Sequence, residues 1–77
     1  MTNSEELNRI IKESGLKRGF IAETLGITRY SLNQKINNKF QFKAHEIQAL
    51  CELLEINDLE EKERLFFASD VEDSSTK

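Results

Sequence analysis

The polar side chains between residues 28 and 37 are the ones whose types and spacing could do chemistry. On a helix they share one side, with Leu32 and Ile36 on the opposite side. In angular order these polar residues are Arg29, Asn33, Asn37, Tyr30 and Gln34. Guanidinium and amide groups hydrogen-bond to base edges and phosphates, so this side is suited to contacting duplex DNA. A helix that is merely solvated more often carries Glu, Lys and Ala.

The basic residues are concentrated in the same part of the chain. Between Ser14 and Lys43, six basic residues stand against one acid, Glu23, which gives +5, although the whole chain carries -3. The six are Lys17, Arg18, Arg29, Lys35, Lys39 and Lys43. The segment 44–77 holds three basic residues against ten acids, or -7. Because charges act over about 8–10 Å at physiological salt, a phosphate responds to the local surplus and not to the total.

Two short helices joined by a tight turn are predicted to hold the polar face. The first spans about 17–25. Gly26 then permits the positive φ that a sharp turn requires, and Ile27 fills the corner. Thr28 is a good N-cap for the second helix, which runs to about Asn37.

Three more helices complete an all-α bundle of about five, expected at about 4–14, 43–55 and 57–68. Ser4 and Asn57 are the predicted N-caps of the first and the last. The inner faces are predicted to hold Leu7, Ile10, Ile11, Ser14, Phe20, Ile21, Ala22, Leu25, Leu32, Ile36, Ala44, Ile47, Leu50, Cys51, Leu54, Leu59, Leu65, Phe66 and Phe67. The domain therefore covers 1–68, and 69–77, mostly Asp, Glu, Ser and Thr, is expected to be a disordered acidic tail.

The sequence around the turn resembles the helix-turn-helix of the Cro-like phage repressors, whose lambda-repressor-like fold is a bundle of about five helices. Ala22 matches the small residue at the helix crossing, and Gly26 matches the turn glycine. The apolar supports are matched by Ile21, Leu25, Ile27 and Leu32. A small residue is needed because two helices at about 90–120° touch closely at one point. The resemblance covers about 4–68.

The resemblance implies a set of residues facing DNA. The major groove would be contacted by Thr28, Arg29, Tyr30, Asn33 and Gln34, and phosphates by Lys17, Arg18, Lys35, Asn37, Lys39 and Lys43. Two residues depart from the family pattern. Lys35 stands where many members have an apolar residue, and we expect its stem to follow the core edge while its amine points at DNA. Asn38 stands where many have glycine, and Asn tolerates left-handed backbone.

The function implied is a sequence-specific regulator of transcription, a phage or prophage repressor, binding a double-stranded operator. A homodimer would place two such helices in successive major grooves, about 34 Å apart. Leu65, Phe66 and Phe67 are the expected dimer contact; because Phe66 and Phe67 are adjacent, one should fill the core and the other meet a second subunit. The alternative is that both pack within one chain.

Each DNA-facing residue also has a plainer interpretation. Arg29 could form a surface ion pair with Glu23, and Asn33 and Gln34 could hydrogen-bond only water. Tyr30 could pack on a neighbouring loop. A protein-interaction module of the antitoxin or antirepressor type, using the acidic C-terminal third with Phe66 and Phe67, remains the alternative function.

Other activities have little support in the sequence. The single cysteine, Cys51, excludes an internal disulfide and fits a reducing cytoplasm. His45 and Cys51 have no third residue at metal-ligand spacing, and no paired acid and base or glycine-rich phosphate loop is present. No apolar run reaches the roughly 20 residues of a membrane span, and no secretion signal is recognised. We therefore expect a cytoplasmic protein with no enzyme activity, cofactor, metal or small-molecule ligand.

Overall fold

The computed structural model describes residues 1–67, which form five helices and no strand. They are α1 (Ser4–Ser14), α2 (Arg18–Leu25), α3 (Arg29–Ile36), α4 (Ala44–Leu53) and α5 (Leu59–Phe66). The prediction of an all-helical chain is confirmed. The predicted acidic tail, 69–77, and the end of the predicted fifth helix at Ala68 lie outside the described residues.

Side chains that accept backbone N–H groups cap α1, α3 and α5, and two of the predicted caps are off by one residue. Asn3, not Ser4, caps α1: its Oδ1 accepts the amide of Glu6 at 3.2 Å. The Ser4 hydroxyl instead donates to the carbonyl of Ile36 and so ties α1 to the end of α3. Asp58, not Asn57, caps α5. Both corrections move the cap to the neighbouring residue whose carboxylate or amide oxygen reaches an unpaired N–H.

The turn between α2 and α3 has the local chemistry that its residues predict. Gly26 has φ 77, in the left-handed region, and Ile27 donates its amide to the carbonyl of Ala22 at 3.0 Å. The Thr28 hydroxyl accepts the amide of Ser31 at 3.0 Å and caps α3. The predicted roles of Gly26 and Thr28 are thus confirmed. Two helices of eight residues each are joined by three residues.

The core lies where α2 packs against α3 and α4 and where α1 packs against α3 and α5. Its buried apolar residues are Leu7, Ile11, Ile21, Ala22, Leu25, Leu32, Ile36, Leu50, Cys51, Ile56, Leu65 and Phe66. Five residues predicted to face inward are exposed instead, namely Ser14, Phe20, Ala44, Leu59 and Phe67. Phe20 and Leu59 keep 50% and 71% of their surface in water, because neighbouring positions on their short helices already fill the core side.

The N-terminal residues join the exit of α3 to the end of α5. Asn38 has φ 67 and forms two hydrogen bonds of 2.8 Å with the backbone of Thr2, accepting its N–H and donating to its carbonyl. The amide of Asn3 donates to the carbonyl of Leu65 at 2.6 Å. Asn38 thus takes the left-handed conformation that asparagine tolerates, and its side chain ties this turn to Thr2.

None of the five described helices combines the length and the apolar composition required to cross a lipid bilayer.

Candidate nucleic-acid interface

The helix α3 has one apolar side inside the protein and one polar side at the surface. Leu32 and Ile36 are 0% and 1% exposed. Arg29 and Tyr30 are exposed, and Tyr30 keeps 68% of its surface in water. Among residues 1–67 Arg29 has no ion-pair partner, so its head group is available to a ligand.

The other polar residues on this side of α3 are either half-buried or located at the ends of the helix. Thr28, at the N-cap, and Asn37, at the C-cap, are both exposed. Asn33 and Gln34 are half-buried. Arg29 and Tyr30 are therefore the exposed residues on the polar side of α3 itself, while the side-chain amides of Asn33 and Gln34 are partly covered by the protein.

A hydrogen-bond network connects Asn33 to two other helices through Arg18. The Nη1 of Arg18, at the start of α2, donates to Oδ1 of Asn33 at 3.1 Å. The Nη2 of the same guanidinium donates to Oδ1 of Asn8 in α1. Arg18 is half-buried, and two of its N–H donors are already bonded to these protein groups and are not free to bind a phosphate. The sequence carried no signal for this bridge, because Arg18 and Asn33 are 15 residues apart.

Three cations that precede or follow α3 point into solvent. Lys17 precedes α2, and Lys39 and Lys43 lie in the loop between α3 and α4; all three are exposed. The loop begins on α3 itself, because the amide of Lys39 donates to the carbonyl of Gln34 at 2.8 Å. All three lysines therefore remain available to phosphates, and the backbone of Lys39 is tied to the end of α3.

Lys35 does not point outward as predicted. It is 7% exposed, and its ammonium lies 2.5 Å from Oε1 of Glu46 in α4, which is 2% exposed. The same Oε1 accepts the amide of Lys43 at 2.9 Å. A buried ammonium must find a counter-charge, and an acid on the facing helix supplies one. Lys35 is thus removed from the predicted phosphate contacts. Glu46 lies four residues before the core residue Leu50, a spacing that marks it as inward-facing.

The charge of Glu46 is secured by its partners. Burial by itself raises the pKa of its carboxyl, but the hydrogen bonds from Lys35 and from the Lys43 backbone, with the Lys35 charge, outweigh burial and lower this pKa. Glu46 is consequently ionised when the protein is folded near neutral pH, and the pair is a true ion pair.

An aromatic cavity of about 240 Å³ opens beside the α3–α4 loop. It is lined by Met1, Thr2, Asn38, Phe40, Gln41, Phe42, Ile47, Phe66 and Phe67. Phe42 meets Phe66 edge to face, with ring centroids 5.7 Å apart. Met1, Phe40 and Phe67 line the rim and are 63%, 48% and 41% exposed. We call these three residues, two phenylalanines and one methionine, the aromatic rim.

The burial of two residues corrects the predicted dimer contact. Leu65 and Phe66 are 0% and 4% exposed and belong to the core, so neither is free to meet a second chain. Phe67 alone of the three predicted residues is exposed. The sequence suggested that the adjacent phenylalanines would separate in this way, but it did not indicate that Met1 and Phe40 would lie beside Phe67.

The groups able to bind a metal or to act as nucleophiles are scattered. Cys51 is buried, and burial raises the pKa of its thiol, with a smaller contribution of the same sign from Glu61 opposed by Lys62. Within residues 1–67, no three of the His, Cys, Asp and Glu side chains gather into a possible metal site. The α3 surface is therefore the best-developed candidate site of the described chain.

Neither a family model, nor a curated protein, nor a solved structure matches this chain. Its function is therefore inferred from its own residues and their contacts.

Proposed function

We propose that this chain is a sequence-specific double-stranded DNA-binding regulator of transcription, of the Cro-like repressor type. In this proposal α2 and α3 are a helix-turn-helix, and α3 is the recognition helix that enters the major groove. The local geometry supports this. Ala22 is buried, Gly26 has φ 77, and Ile27 closes the turn. Those are the features that let two short helices meet at a steep angle.

The observation that carries the proposal is the division of α3 into a buried apolar side and a free polar side. Arg29 stands on the free side with no ion-pair partner among residues 1–67, beside the exposed Tyr30. The planar guanidinium of Arg29 matches the O6 and N7 acceptors of guanine, and Tyr30 is suited to a thymine methyl or a phosphate. Thr28, Asn33 and Gln34 complete the groove-facing set.

Phosphate contacts would supply affinity and set the orientation on the duplex. Without Lys35, the segment 14–43 keeps five basic residues against Glu23, or +4. Lys17, Lys39 and Lys43 are exposed, as is Asn37, two residues before Lys39. Arg18 keeps donors beyond the two it uses internally. If about four phosphates are neutralised, log K should fall with log salt at a slope of about -3 to -4.

A second copy of the chain would complete the binding unit. The aromatic rim exposes about half of three large apolar side chains, on the order of 300 Å² in all, which is typical of functional patches on small proteins. Phe40 directly follows Lys39, so a two-fold contact at the rim would bring the basic loops of both chains together. Two recognition helices could then bind a near-palindromic operator and block polymerase.

Selection of duplexes from a random pool, followed by titration at several salt concentrations, tests the proposal. We expect one enriched motif and a steep loss of affinity between about 50 and 200 mM salt. A pool that shows no enrichment, together with binding that does not change with salt, would contradict it.

The aromatic cavity favours a second candidate function, that of a protein-interaction module. An apolar side chain from a partner could enter the cavity between Phe40 and Phe67. Binding of that kind depends little on salt, because it is driven by apolar burial. A Phe67→Ser change should abolish it and leave duplex binding by isolated protomers intact. Arg29→Ala should weaken binding to the preferred duplex and leave the docking of a partner unchanged.

A further inference from the structure

The contact between Arg18 and Asn33 determines which atom of the Asn33 amide faces α2. A guanidinium carries donors and no acceptor, so the atom that meets Nη1 of Arg18 at 3.1 Å must be the amide oxygen. The same argument assigns the oxygen of Asn8 to Nη2. Arg18 is thus held from two sides, by α1 and by α3, and it holds the oxygen of Asn33 in return.

The nitrogen of the Asn33 amide is left for other partners. Nδ2 has no hydrogen-bond partner among residues 1–67. No side-chain nitrogen or oxygen buried in this part of the chain lacks a partner, so an unpaired Nδ2 on half-buried Asn33 is open to solvent. To a ligand arriving at α3, Asn33 therefore offers two N–H donors.

This orientation bears on which base Asn33 could contact. The usual contact of asparagine with adenine needs both amide atoms at the base edge, the oxygen accepting from N6 and the nitrogen donating to N7. Guanine presents two acceptors, N7 and O6, and thymine presents O4. Adenine and cytosine place an amino group where guanine and thymine place a carbonyl. An amide whose oxygen is turned towards Arg18 presents its N–H groups to the base, so it suits the carbonyl and meets the amino group donor to donor.

We propose that Arg18 makes Asn33 a donor-only contact, so that α3 prefers a keto base, guanine or thymine, at the position Asn33 faces. Adenine offers such a contact only N7, beside an amino group, and cytosine offers it no acceptor. This inference rests on the DNA-binding function proposed above. Arg18 acts here as a positioning residue, because it shapes the choice of base through Asn33 and not by touching the base.

The test uses the full chain and four duplexes that differ only at one base pair. Asn33→Ala first identifies that pair, as the position of the selected motif at which discrimination is lost. We expect the unaltered protein to prefer guanine or thymine there over adenine by about tenfold. Arg18→Met frees the Asn33 oxygen and should reduce this ratio to near one or invert it. Arg18→Lys, whose ammonium is also donor-only, should keep the ratio closer to that of the unaltered protein.

Comparing ratios removes the uniform loss of affinity that follows from deleting a positive charge. Asn33→Asp provides a second variant that keeps an oxygen for Arg18 but has no donor, and it too should lose the preference for keto bases. Circular dichroism establishes that each variant is helical before it is titrated.

Two results would overturn the inference while leaving the regulator proposal in place. One is an Asn33-dependent preference for adenine in the unaltered protein. The other is a keto preference that survives unchanged in both Arg18→Met and Asn33→Asp. If no duplex is enriched at all, the DNA-binding function itself fails, and the inference fails with it.

Discussion

The Lys35 ammonium lies 2.5 Å from the Glu46 carboxylate and joins α3 to α4 inside the protein. Both side chains are almost fully buried, and Oε1 of Glu46 also accepts the amide of Lys43, at the start of α4. One carboxylate thus fixes the end of the proposed recognition helix and the first turn of the helix behind it.

Removing the acid should destabilise the fold strongly. Glu46→Ala leaves the Lys35 ammonium buried without a counter-charge, and we expect the free energy of unfolding to fall by about 3–5 kcal/mol, measured by urea denaturation. Glu60→Ala, which removes an exposed acid from the first turn of α5, is the matched control and should change stability by about 1 kcal/mol or less. The double change of Lys35→Met with Glu46→Leu should recover most of the loss. Equal effects of Glu46→Ala and Glu60→Ala would show that the ion pair is not what holds α3.

The same pair should make the free energy of unfolding depend on pH in the acidic range. Because the pKa of Glu46 is lower in the folded protein than its ordinary value of 4.5, its contribution is fully present above that value. The contribution is lost as pH falls from there through the lowered pKa of the folded state. Unfolding free energies measured across this range should fall less steeply in the Lys35→Met, Glu46→Leu protein than in the unaltered one. Parallel pH profiles would indicate that other carboxylates cause the acid sensitivity.

Two glycines of the α2–α3 unit should respond to alanine with opposite signs. A Cβ on either meets nothing within 4 Å, so only the backbone distinguishes them. Gly26 has φ 77, and Gly26→Ala should destabilise the protein by about 1–2 kcal/mol through left-handed strain. Gly19 lies within α2, where Gly19→Ala should stabilise by up to about 1 kcal/mol. Thermal melts of the two variants provide the comparison. If both melting temperatures shift in the same direction, the backbone conformation of the two glycines does not determine the effect of alanine.

Arg29 and Lys39 should separate choice of sequence from general affinity. Arg29→Ala should cost about 1–3 kcal/mol at one base pair of the operator and relax the preference there. Lys39→Ala should weaken all duplexes alike and make the salt slope shallower by about one. Titration of each variant against the operator and single-base variants measures both effects. If both changes weaken every duplex equally, Arg29 does not choose a base.

The two adjacent phenylalanines should have different roles. Phe66→Ala removes a core ring that packs on Phe42 and should cost about 3–5 kcal/mol of stability. Phe67→Ser changes an exposed ring of the aromatic rim and should leave stability nearly unaltered while shifting sedimentation from dimer towards monomer. Leu59→Ser, at another exposed apolar residue, is the control and should not change the mass of the particle. Unaltered protein that sediments as a monomer at all concentrations would rule out the dimer.

Features that depend on neighbours in sequence could be predicted from the sequence. The left-handed conformation of Gly26, the Thr28 cap and the apolar stripes of the helices follow from interactions within a few residues, because caps, turns and helical periodicity are local. Those features were sufficient to predict the helix order and which residues of α3 lie opposite Leu32 and Ile36. The errors of one residue at Asn3 and Asp58 arise because adjacent polar residues compete for the same cap.

Only the tertiary structure decided which polar residues meet one another. Lys35 and Glu46 are 11 residues apart, and Arg18 and Asn33 are 15 apart, so each pairing depends on how the helices pack. The aromatic rim likewise gathers Met1, Phe40 and Phe67 from three separate parts of the chain. Helical periodicity indicates which side of a helix a residue occupies. Its partner on a neighbouring helix depends on the angle and distance at which the two helices pack, and the order of residues along the chain does not specify these. The sequence therefore determined the helices and their faces, and packing determined which cations stay free for a ligand.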